Sequence, residues 1–378
     1  MKVSNNSLLL ATATALCALP SAFAAFENIT ASDFTLKASG YSDVIADLDA
    51  VLPVKTVKEV LADTNHKNPT SSPEVKHALA GYTWENKEGY DDVNTDKWYP
   101  QGITTSTDAD DSGAYDGDVV HLVSWHSDKY DSGKRGARIS FVNMNDGADR
   151  AYRNVLLVRP TQGGSTPNFE AVSDLHAGGI VWYGNLLYVV STKEGLLVFD
   201  MSHIYEVSTG DGIGRVGENY QAYGYKYVLP QARTYAWQAK DGVSDMRFSF
   251  VGLDKTSSPE SLVVGEWLPA GNGRVVHWNL DESSRLLEAD SNSIATASRA
   301  VEHTITNIQG SLTINDKYFL TQSGGSLWTF SWAGGQEEHK DIFSDVPEDL
   351  SYQAGYGLWS LMEVPGNRHV VALDVDQF

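Results

Sequence analysis

The stretch YGNLLYVVSTKEGLLVF at residues 183–199 aligns without gaps on INDKYFLTQSGGSLWTF at residues 314–330. Each copy alternates short runs of β-branched, aromatic and leucine residues with turns rich in Gly, Asn, Asp or Ser. This pattern predicts a strand, a turn, a strand, a glycine-containing turn and a strand. Each copy also follows a glycine-containing apolar segment, residues 176–182 and 309–313. Self-similarity of this kind indicates a fold that is built from repeated sheet units.

Three weaker copies surround these two. They comprise residues 99–105 with 119–125 and 138–142, residues 247–252 with 261–265 and 274–278, and residues 356–362 with 369–374. Five such units predict an all-β fold, a five-bladed β-propeller that spans residues 98–378. A pair of β-sandwiches is the alternative.

The fifth unit reaches the end of the chain before its outer strands are complete. We therefore expect residues 26–40 to supply them, so that the N-terminal part closes the ring and protects the sheet edges. Residues 25–97 would then hold these closing strands and a short helical appendage. The appendage is predicted from apolar residues at helical spacing in residues 42–52, and from residues 72–81, where Ser72 and Pro73 form a helix start.

The N-terminus has the pattern of a secretory signal. Lys2 is followed by an apolar run from Leu8 to Leu19 and by an A-x-A cleavage site at residues 22–24. Residues 1–24 are thus predicted to be a signal peptide, and the protein to be secreted or periplasmic. Cys17, the single cysteine, lies inside this segment, so the mature chain has to be stable without disulfides.

Charge and composition exclude some partners. The 49 acidic and 28 basic residues give a formal charge of −21, which would repel nucleic acids and anionic membrane surfaces. Hydrophobic residues make up 42% of the chain, enough for a packed globule. Aromatic residues make up 11%, a level common both in β-rich folds and in proteins that stack on sugars. We expect a monomer.

Polar residues precede the predicted innermost strands, which face the mouth of the central channel. Ser173-Asp174-Leu175-His176 and Ser244-Asp245-Met246-Arg247 share a pattern at matching positions in two units. We predict His176, Asp174 and Asp245 as catalytic residues, because acid–base catalysis needs a proton donor and a base. Substrate binding is predicted for the side chains of Arg247, Gln101, Tyr99 and Gln309. The alternative for the two aspartates is a role in turns, bonded to local backbone amides.

An acidic insert, Asp108-Ala-Asp-Asp-Ser-Gly113, resembles the first half of a calcium loop. Asp108, Asp110 and Ser112 would supply oxygen ligands at positions 1, 3 and 5, and structural calcium is the one cofactor that this pattern suggests. Val119 stands where such a loop has its bidentate Glu. A solvated acidic turn is the alternative.

This arrangement resembles five-bladed propeller enzymes of the arabinanase and fructosidase type, in which carboxylates at the starts of inner strands perform hydrolysis. The chain is also similar to exported bacterial proteins of unassigned function. The resemblance implies a carbohydrate-active enzyme, either a glycoside hydrolase or a polysaccharide lyase, whose partner is a poly- or oligosaccharide. A propeller that binds a glycan or a protein without turnover is the alternative, because the fold does not decide the function.

Overall fold

The structure is a computed structural model that describes residues 26–71, 75–127, 134–145 and 150–378. The predicted signal peptide and Ser72, Pro73 and Glu74 lie outside the described residues. Within the described part, the main strands pair into five antiparallel units of four strands each, which we number in chain order. Neighbouring units contact each other through their first strands, and the fifth unit contacts the first, so the units form a ring. The predicted β-propeller is confirmed.

The strands of each unit run outward from the axis of this ring. They are Trp98–Thr105, Val120–Ser127, Ala137–Asn143 and Ala151–Gly163 in unit 1, Ile180–Tyr183, Leu186–Ser191, Gly195–Asp200 and Tyr227–Gln238 in unit 2, and Phe250–Asp254, Ser261–Gly265, Gly273–Asn279 and Arg299–His303 in unit 3. Unit 4 has Ile308–Ile314, Lys317–Gln322, Ser326–Ser331 and Gly335–His339, and unit 5 has Pro347–Gln353, Gly357–Met362, His369–Leu373 and Ala78–Thr83.

Shorter elements decorate the ring. The α-helices are Val44–Asp49, Val57–Ala62 and Ser106–Ala109, and the 3-10 helices are Ala31–Asp33, Met201–His203 and Val375–Gln377. The remaining strands are Phe26–Asn28, Thr35–Ala38, Val54–Lys55, His66–Lys67, Asn86–Lys87, Tyr90–Asp91, Thr166–Ala171, Ile204–Glu206, Ile213–Val216, Asn219–Ala222 and Ile294–Thr296.

The apolar runs of the repeats are buried on both faces of each sheet. In unit 2, Leu186 and Tyr188 pack against unit 3, whereas the alternate residues Leu187 and Val189 pack against unit 1. Side chains alternate between the two faces of a strand, so a sheet held between two others needs an uninterrupted apolar run. Across the described ranges, buried apolar side chains form five clusters, one at each boundary between neighbouring units.

Glycines allow the first strands to approach each other at the axis. A Cβ on Gly179 would lie 2.3 Å from the backbone nitrogen of Val251, and one on Gly310 would lie 2.7 Å from the Cα of Asp349. No side chain fits at these positions without movement of the neighbouring backbone. The glycines of the repeat are therefore a steric requirement of the ring.

The closing strand differs from the prediction. Ala78–Thr83 pairs with His369–Leu373 and completes unit 5, so the helix expected near Gly81 is wrong for residues 78–83. Phe26–Asn28 lies instead at the outer edge of unit 3, and Thr35–Ala38 pairs with the last strand of unit 2. The long-range backbone pairing outweighs the weak local helical pattern, as often happens for short segments.

Two helices of the N-terminal part pack on the outside of the ring. Val44–Asp49 confirms the helix predicted within residues 42–52; it contacts Ala151–Gly163, the last strand of unit 1, and its Leu48 is buried in the cluster that includes Phe169. Val57–Ala62 was not predicted, although Thr56 and Glu59 form a capping box at its start. The Thr-x-x-Glu spacing was the sequence signal for this helix.

Candidate functional site

A pocket of about 400 Å³ lies on the axis of the ring, where the first strands begin. Every unit contributes to it. Its lining consists of Gln101, His176, Gly178, Thr192, Arg247, Ser249, Trp267, Gln309, Ser323, Val346, Glu348 and Glu363. We call this cavity the axial pocket. Four of the predicted site residues line it: His176, Arg247, Gln101 and Gln309.

Irregular pairing marks three of the first strands where they border the axial pocket. In unit 1, Gln101 and Gly102 lie between the pairs Pro100–Trp125 and Ile103–Val123 and so share one partner position. The pairing shifts in the same way around Gln309 in unit 4 and around Glu348 and Asp349 in unit 5. A β-bulge redirects a side chain out of the regular alternation. Here the bulges coincide with side chains that line the pocket.

Two amide–carboxylate pairs link neighbouring units across the floor of the axial pocket. Gln309 Nε2 donates to Glu348 Oε1 at 2.9 Å, and Gln101 Nε2 donates to Glu363 Oε2 at 2.6 Å. Gln101 Nε2 also donates to the Pro100 carbonyl at 3.0 Å. The two carboxyl groups are thus held in fixed orientations by neutral donors.

Glu348 is the electrostatically unusual group of the pocket. Its residue surface is only 3% exposed. Burial, followed by the nearby charges of Glu363 and Asp349, raises the pKa of Glu348 well above its usual value. Both causes disfavour the charged carboxylate, so the environment favours the protonated acid.

Asp349 lies next to Glu348 and is fully buried. Its Oδ2 accepts hydrogen bonds from the backbone amides of Ile103 at 3.2 Å and Ile180 at 3.1 Å, in units 1 and 2. Burial raises the pKa of Asp349 well above its usual value, against the lowering effect of these amides. The carboxyl group therefore connects three first strands directly and satisfies amides that face the channel rather than a neighbouring strand.

Arg247 and Trp267 form one side of the axial pocket. The Arg247 guanidinium lies 5.0 Å from the centre of the Trp267 ring. The backbone amide of Arg247 donates to Glu266 Oε1 at 2.7 Å, and Glu266 forms a 2.6 Å ion pair with Arg274. This buried pair holds the segment that presents Arg247.

His176 occupies the equivalent position in unit 2. Leu175 and Met246, which precede His176 and Arg247, are both buried and anchor the shared pattern. His176 is exposed, and its ring centre lies 4.2 Å from that of His126. The matching pattern in the sequence thus does place both side chains in one pocket.

Asp174, Asp245 and Tyr99 are not among the described residues that line the axial pocket. Asp174 is exposed in a left-handed conformation with φ of 59°. Asp245 Oδ1 accepts from Trp237 Nε1 at 3.2 Å. The ring of Tyr99 is covered by the Arg368 guanidinium at 5.0 Å. The structure therefore does not bring the two predicted catalytic aspartates together with His176.

The predicted calcium ligands Asp108 and Asp110 differ in burial and in hydrogen-bond partners. Asp108 is 4% exposed, and its Oδ2 accepts from the hydroxyls of Thr104 and Ser351, each at 2.7 Å. Asp110 is exposed and accepts from the Ser112 backbone amide at 2.8 Å. Asp108 is thus a buried cross-link between units 1 and 5. This role fits neither a calcium loop shared with Asp110 and Ser112 nor a solvated turn. Among the described residues, no group of three or more His, Cys, Asp or Glu side chains can hold a metal ion.

Glu348, Glu363 and Trp267 were missed in the sequence. The repeat pattern starts the fifth unit at residue 356, beside its second strand Gly357–Met362, and so passes over the first strand Pro347–Gln353. The signal that could have found it is the number of segments: the fifth unit has two, residues 356–362 and 369–374, whereas each of the other weaker copies has three. A register that placed residues 347–353 at the axis would have pointed to Glu348.

Comparisons with known proteins give weak similarities. No protein-family model matches the chain, and no curated protein matches its sequence. A solved glucose dehydrogenase structure is 9% identical over 85% of this chain and 99% of its own, with a TM-score of 0.38. The β-propeller domain of Myceliophteria thermophila Cps50 (Swd1) is 8% identical over 82% and 100%, with a TM-score of 0.32. The computationally designed Ika8 protein is 9% identical over 67% and 80%, with a TM-score of 0.27.

The class of the protein follows from its strand pairing, which defines a β-propeller with a polar pocket on its axis. None of the three structures named above is an arabinanase or a fructosidase, so that resemblance stays a prediction. Within the described residues, no helix is both long and apolar enough to cross a membrane.

Proposed function

We propose that this protein is an exported carbohydrate-active enzyme that hydrolyses a glycosidic bond in the axial pocket. Glu348 carries the proposal, since it is a buried carboxyl group with a raised pKa in a pocket that also holds a second carboxyl group, Glu363. Glycosidases need this combination, one protonated acid and one carboxylate on either side of the scissile bond.

The lining of the axial pocket suits a sugar. A volume of about 400 Å³ lies in the range of small-molecule sites. Gln101 and Gln309 supply amide groups for hydroxyls, and the Trp267 ring offers an apolar face against which a pyranose ring can stack. Arg247 presents a planar guanidinium that can bind a sugar carboxylate through two parallel hydrogen bonds. A uronate-containing oligosaccharide therefore fits the pocket best.

In the proposed reaction, Glu348 donates its proton to the glycosidic oxygen as the bond from that oxygen to the anomeric carbon breaks. Glu363 acts as the carboxylate partner, either on water or on the anomeric carbon. Water supplies the hydroxyl group of the new reducing end, and its second proton restores the acid. Of the two enzyme classes that the sequence suggested, hydrolysis agrees better than elimination with a pair of carboxyl groups.

Binding without turnover is the second candidate. Both carboxyl groups already accept hydrogen bonds from glutamine side chains, an arrangement that also suits static recognition of sugar hydroxyls. In that case Glu348 would contribute to affinity and not to a rate.

A panel of polysaccharides, incubated with the purified protein, tests the proposal. Hydrolysis releases reducing ends, whereas a lyase would also produce absorbance from unsaturated uronates. Glu348→Gln should lower the rate at which reducing ends are released by at least about a hundred-fold, the usual contribution of general acid catalysis. Glu337→Gln, an exposed acid on the outer strand of unit 4, is the matched control and should keep full activity.

Three results would count against hydrolysis. Full activity in Glu348→Gln would remove the proposed acid. Unsaturated uronates would indicate a lyase. Saturable binding of a glycan with no product would establish the binding alternative. Export is tested separately, because sequencing the N-terminus of protein from the periplasm or medium should give Ala25 as the first residue.

A further inference from the structure

A second pocket, of about 220 Å³, lies away from the axis, between the N-terminal part of the chain and units 1 and 2. Its lining consists of Asn65, His66, Tyr90, Arg135, Arg138, Arg153, Asn154, Tyr223, Gly224, Tyr225 and Lys226. We call it the basic pocket. Four of these residues carry a positive charge, and no Asp or Glu is among the described residues of the lining. This composition is unexpected in a chain with a net charge of −21.

Arg138 is the central cation of the basic pocket. Its side chain is 4% exposed, and its guanidinium lies over the rings of Trp98 at 4.7 Å and Trp125 at 4.9 Å. Nη2 donates to Asp92 Oδ1 at 2.7 Å, and Nη1 donates to the Tyr225 hydroxyl at 3.4 Å. Nε is buried and has no hydrogen-bond partner among the described residues. A buried guanidinium N–H without an acceptor destabilises the folded state, and an anion in the basic pocket could supply the acceptor.

Two further cations are held in place by one carboxylate. Asp63 forms ion pairs with Lys226 at 2.8 Å and with Arg153 at 3.7 Å, and Lys226 also contacts Glu206 at 3.4 Å. Asp63 also accepts from the hydroxyl of Tyr227. These acids orient the basic side chains from outside the lining, and the lining residues that the structure describes include no carboxylate.

The fourth cation, Arg135, lies with its guanidinium 4.9 Å from the centre of the Tyr223 ring. Contact with an aromatic ring restricts the orientation of the planar guanidinium and so preorganises its N–H groups for an oxyanion. The imidazole of His66 is bonded to Glu85 at 2.8 Å, and burial lowers its pKa despite this partner. His66 therefore adds a polar edge and not a fifth charge.

We infer that the basic pocket binds a compact tetrahedral oxyanion, phosphate or sulfate, either free or as an ester on a larger molecule. Arginine guanidinium groups match the tetrahedral oxygens of such anions, and the site is partly desolvated, so these hydrogen bonds are strong. The volume fits one such group and is smaller than ordinary sites for whole small-molecule ligands. This site is independent of the axial pocket and of the function proposed for it.

Titration of the full mature chain with sodium phosphate or sodium sulfate tests the inference, with sodium chloride at the same ionic strength as the reference. Binding to the folded state alone raises the melting temperature in a saturable way, and calorimetry gives the dissociation constant. Arg135→Gln and Arg153→Gln should each weaken binding of phosphate at least about ten-fold, while the melting temperature without phosphate stays within about 2 °C of the parent. Arg215→Gln, an exposed arginine of strand Ile213–Val216, is the matched control and should bind as the parent does.

The source of the anion is resolved by a parallel titration with glucose 6-phosphate. Tighter binding of inorganic phosphate indicates a site for the free ion, and tighter binding of the ester indicates a site for a modified sugar. The inference is overturned if phosphate and sulfate act no differently from chloride, or if both variants bind as the parent does. Loss of binding in Arg247→Gln instead would place the anion in the axial pocket and would equally overturn it.

Discussion

Asp349 provides the sharpest test of how the ring is held together. Its Oδ2 accepts from two backbone amides that belong to other units, Ile103 and Ile180. Asp349→Ala removes this acceptor and leaves both N–H groups buried without a partner. Each such group costs about 1–3 kcal/mol, so the variant should lose about 2–6 kcal/mol of unfolding free energy.

This loss can be expressed as a melting temperature. The entropy of unfolding is about 2.1 cal/mol/K per residue, or about 0.7 kcal/mol/K for a chain of roughly 350 residues. The expected decrease for Asp349→Ala is therefore about 3–8 °C. Differential scanning calorimetry at pH 5 is the assay, because at acidic pH the ionisation of Asp349 contributes least to the difference in melting temperature between parent and variant.

Asp349→Asn is the matched variant, since it keeps an oxygen acceptor of the same size. It should melt within about 2 °C of the parent at pH 5 and above the parent at pH 8. The pKa of Asp349 is raised in the folded state, so its contribution to stability is complete below the unfolded pKa and is lost as the pH rises through the folded pKa. Each unit of that shift corresponds to about 1.4 kcal/mol, and asparagine does not ionise.

Two outcomes would refute this account of Asp349. An Ala variant that melts with the parent would mean that the two amides are satisfied without the carboxyl group. If the stability of the Asn variant falls with pH as steeply as that of the parent, the ionisation of Asp349 does not destabilise the folded parent.

Four further predictions concern other parts of the ring. Gly179→Ala should lower the melting temperature by several degrees, because its Cβ would lie 2.3 Å from a backbone nitrogen, whereas Gly40→Ala, with nothing within 4 Å, should leave it unchanged in the same thermal scans. His176→Ala should keep the parent melting temperature and lose the response to glycan in calorimetry; unfolding of the variant would instead make His176 a structural residue. Glu348→Gln should lose less unfolding free energy between pH 5 and 8 than the parent does, as measured by urea unfolding. The raised pKa of Glu348 means that, as for Asp349, its ionisation destabilises the folded state as the pH rises. An unchanged pH profile would contradict a Glu348 that is buried in its protonated form. Asp108→Ala should destabilise the chain by about 2–6 kcal/mol because two buried hydroxyls lose their acceptor. Millimolar calcium should not raise the melting temperature of the parent; a rise that Asp110→Asn abolishes would restore the calcium loop.

Local sequence patterns were sufficient for most of the strands. The alignment predicted three strands in each copy, and residues 183–199 and 314–330 hold the last residue of the first strand and the second and third strands of units 2 and 4. Their apolar runs are legible because both faces of each sheet are buried, and a buried strand has few alternatives to Val, Leu, Ile and aromatic residues. The shared pattern before His176 and Arg247 was informative for the same reason, since a buried Leu or Met fixes the phase of the exposed residue that follows it.

The axial pocket was only half predictable. Gln101, Gln309, His176 and Arg247 precede or begin strands that the repeats had already located. Glu348 did not stand out, because its strand lies in the unit whose register was assigned one strand too late. Its raised pKa arises from burial and from Glu363, which belongs to a different loop, and no local pattern contains that proximity.

The sequence by itself determined that this chain is a ring of repeated antiparallel sheets with a polar mouth, because each sheet is buried on both faces and therefore has a strong local signature. Only the tertiary structure decided which segment closes the ring. Ala78–Thr83 pairs with His369–Leu373 through backbone groups, and its first residues, Ala78 and Leu79, are exposed. The strand has a single β-branched residue, Thr83, so it lacks the local pattern that marks the buried strands. The neighbouring strand of unit 5 therefore selects it through backbone pairing, since every residue except proline carries the same backbone donor and acceptor.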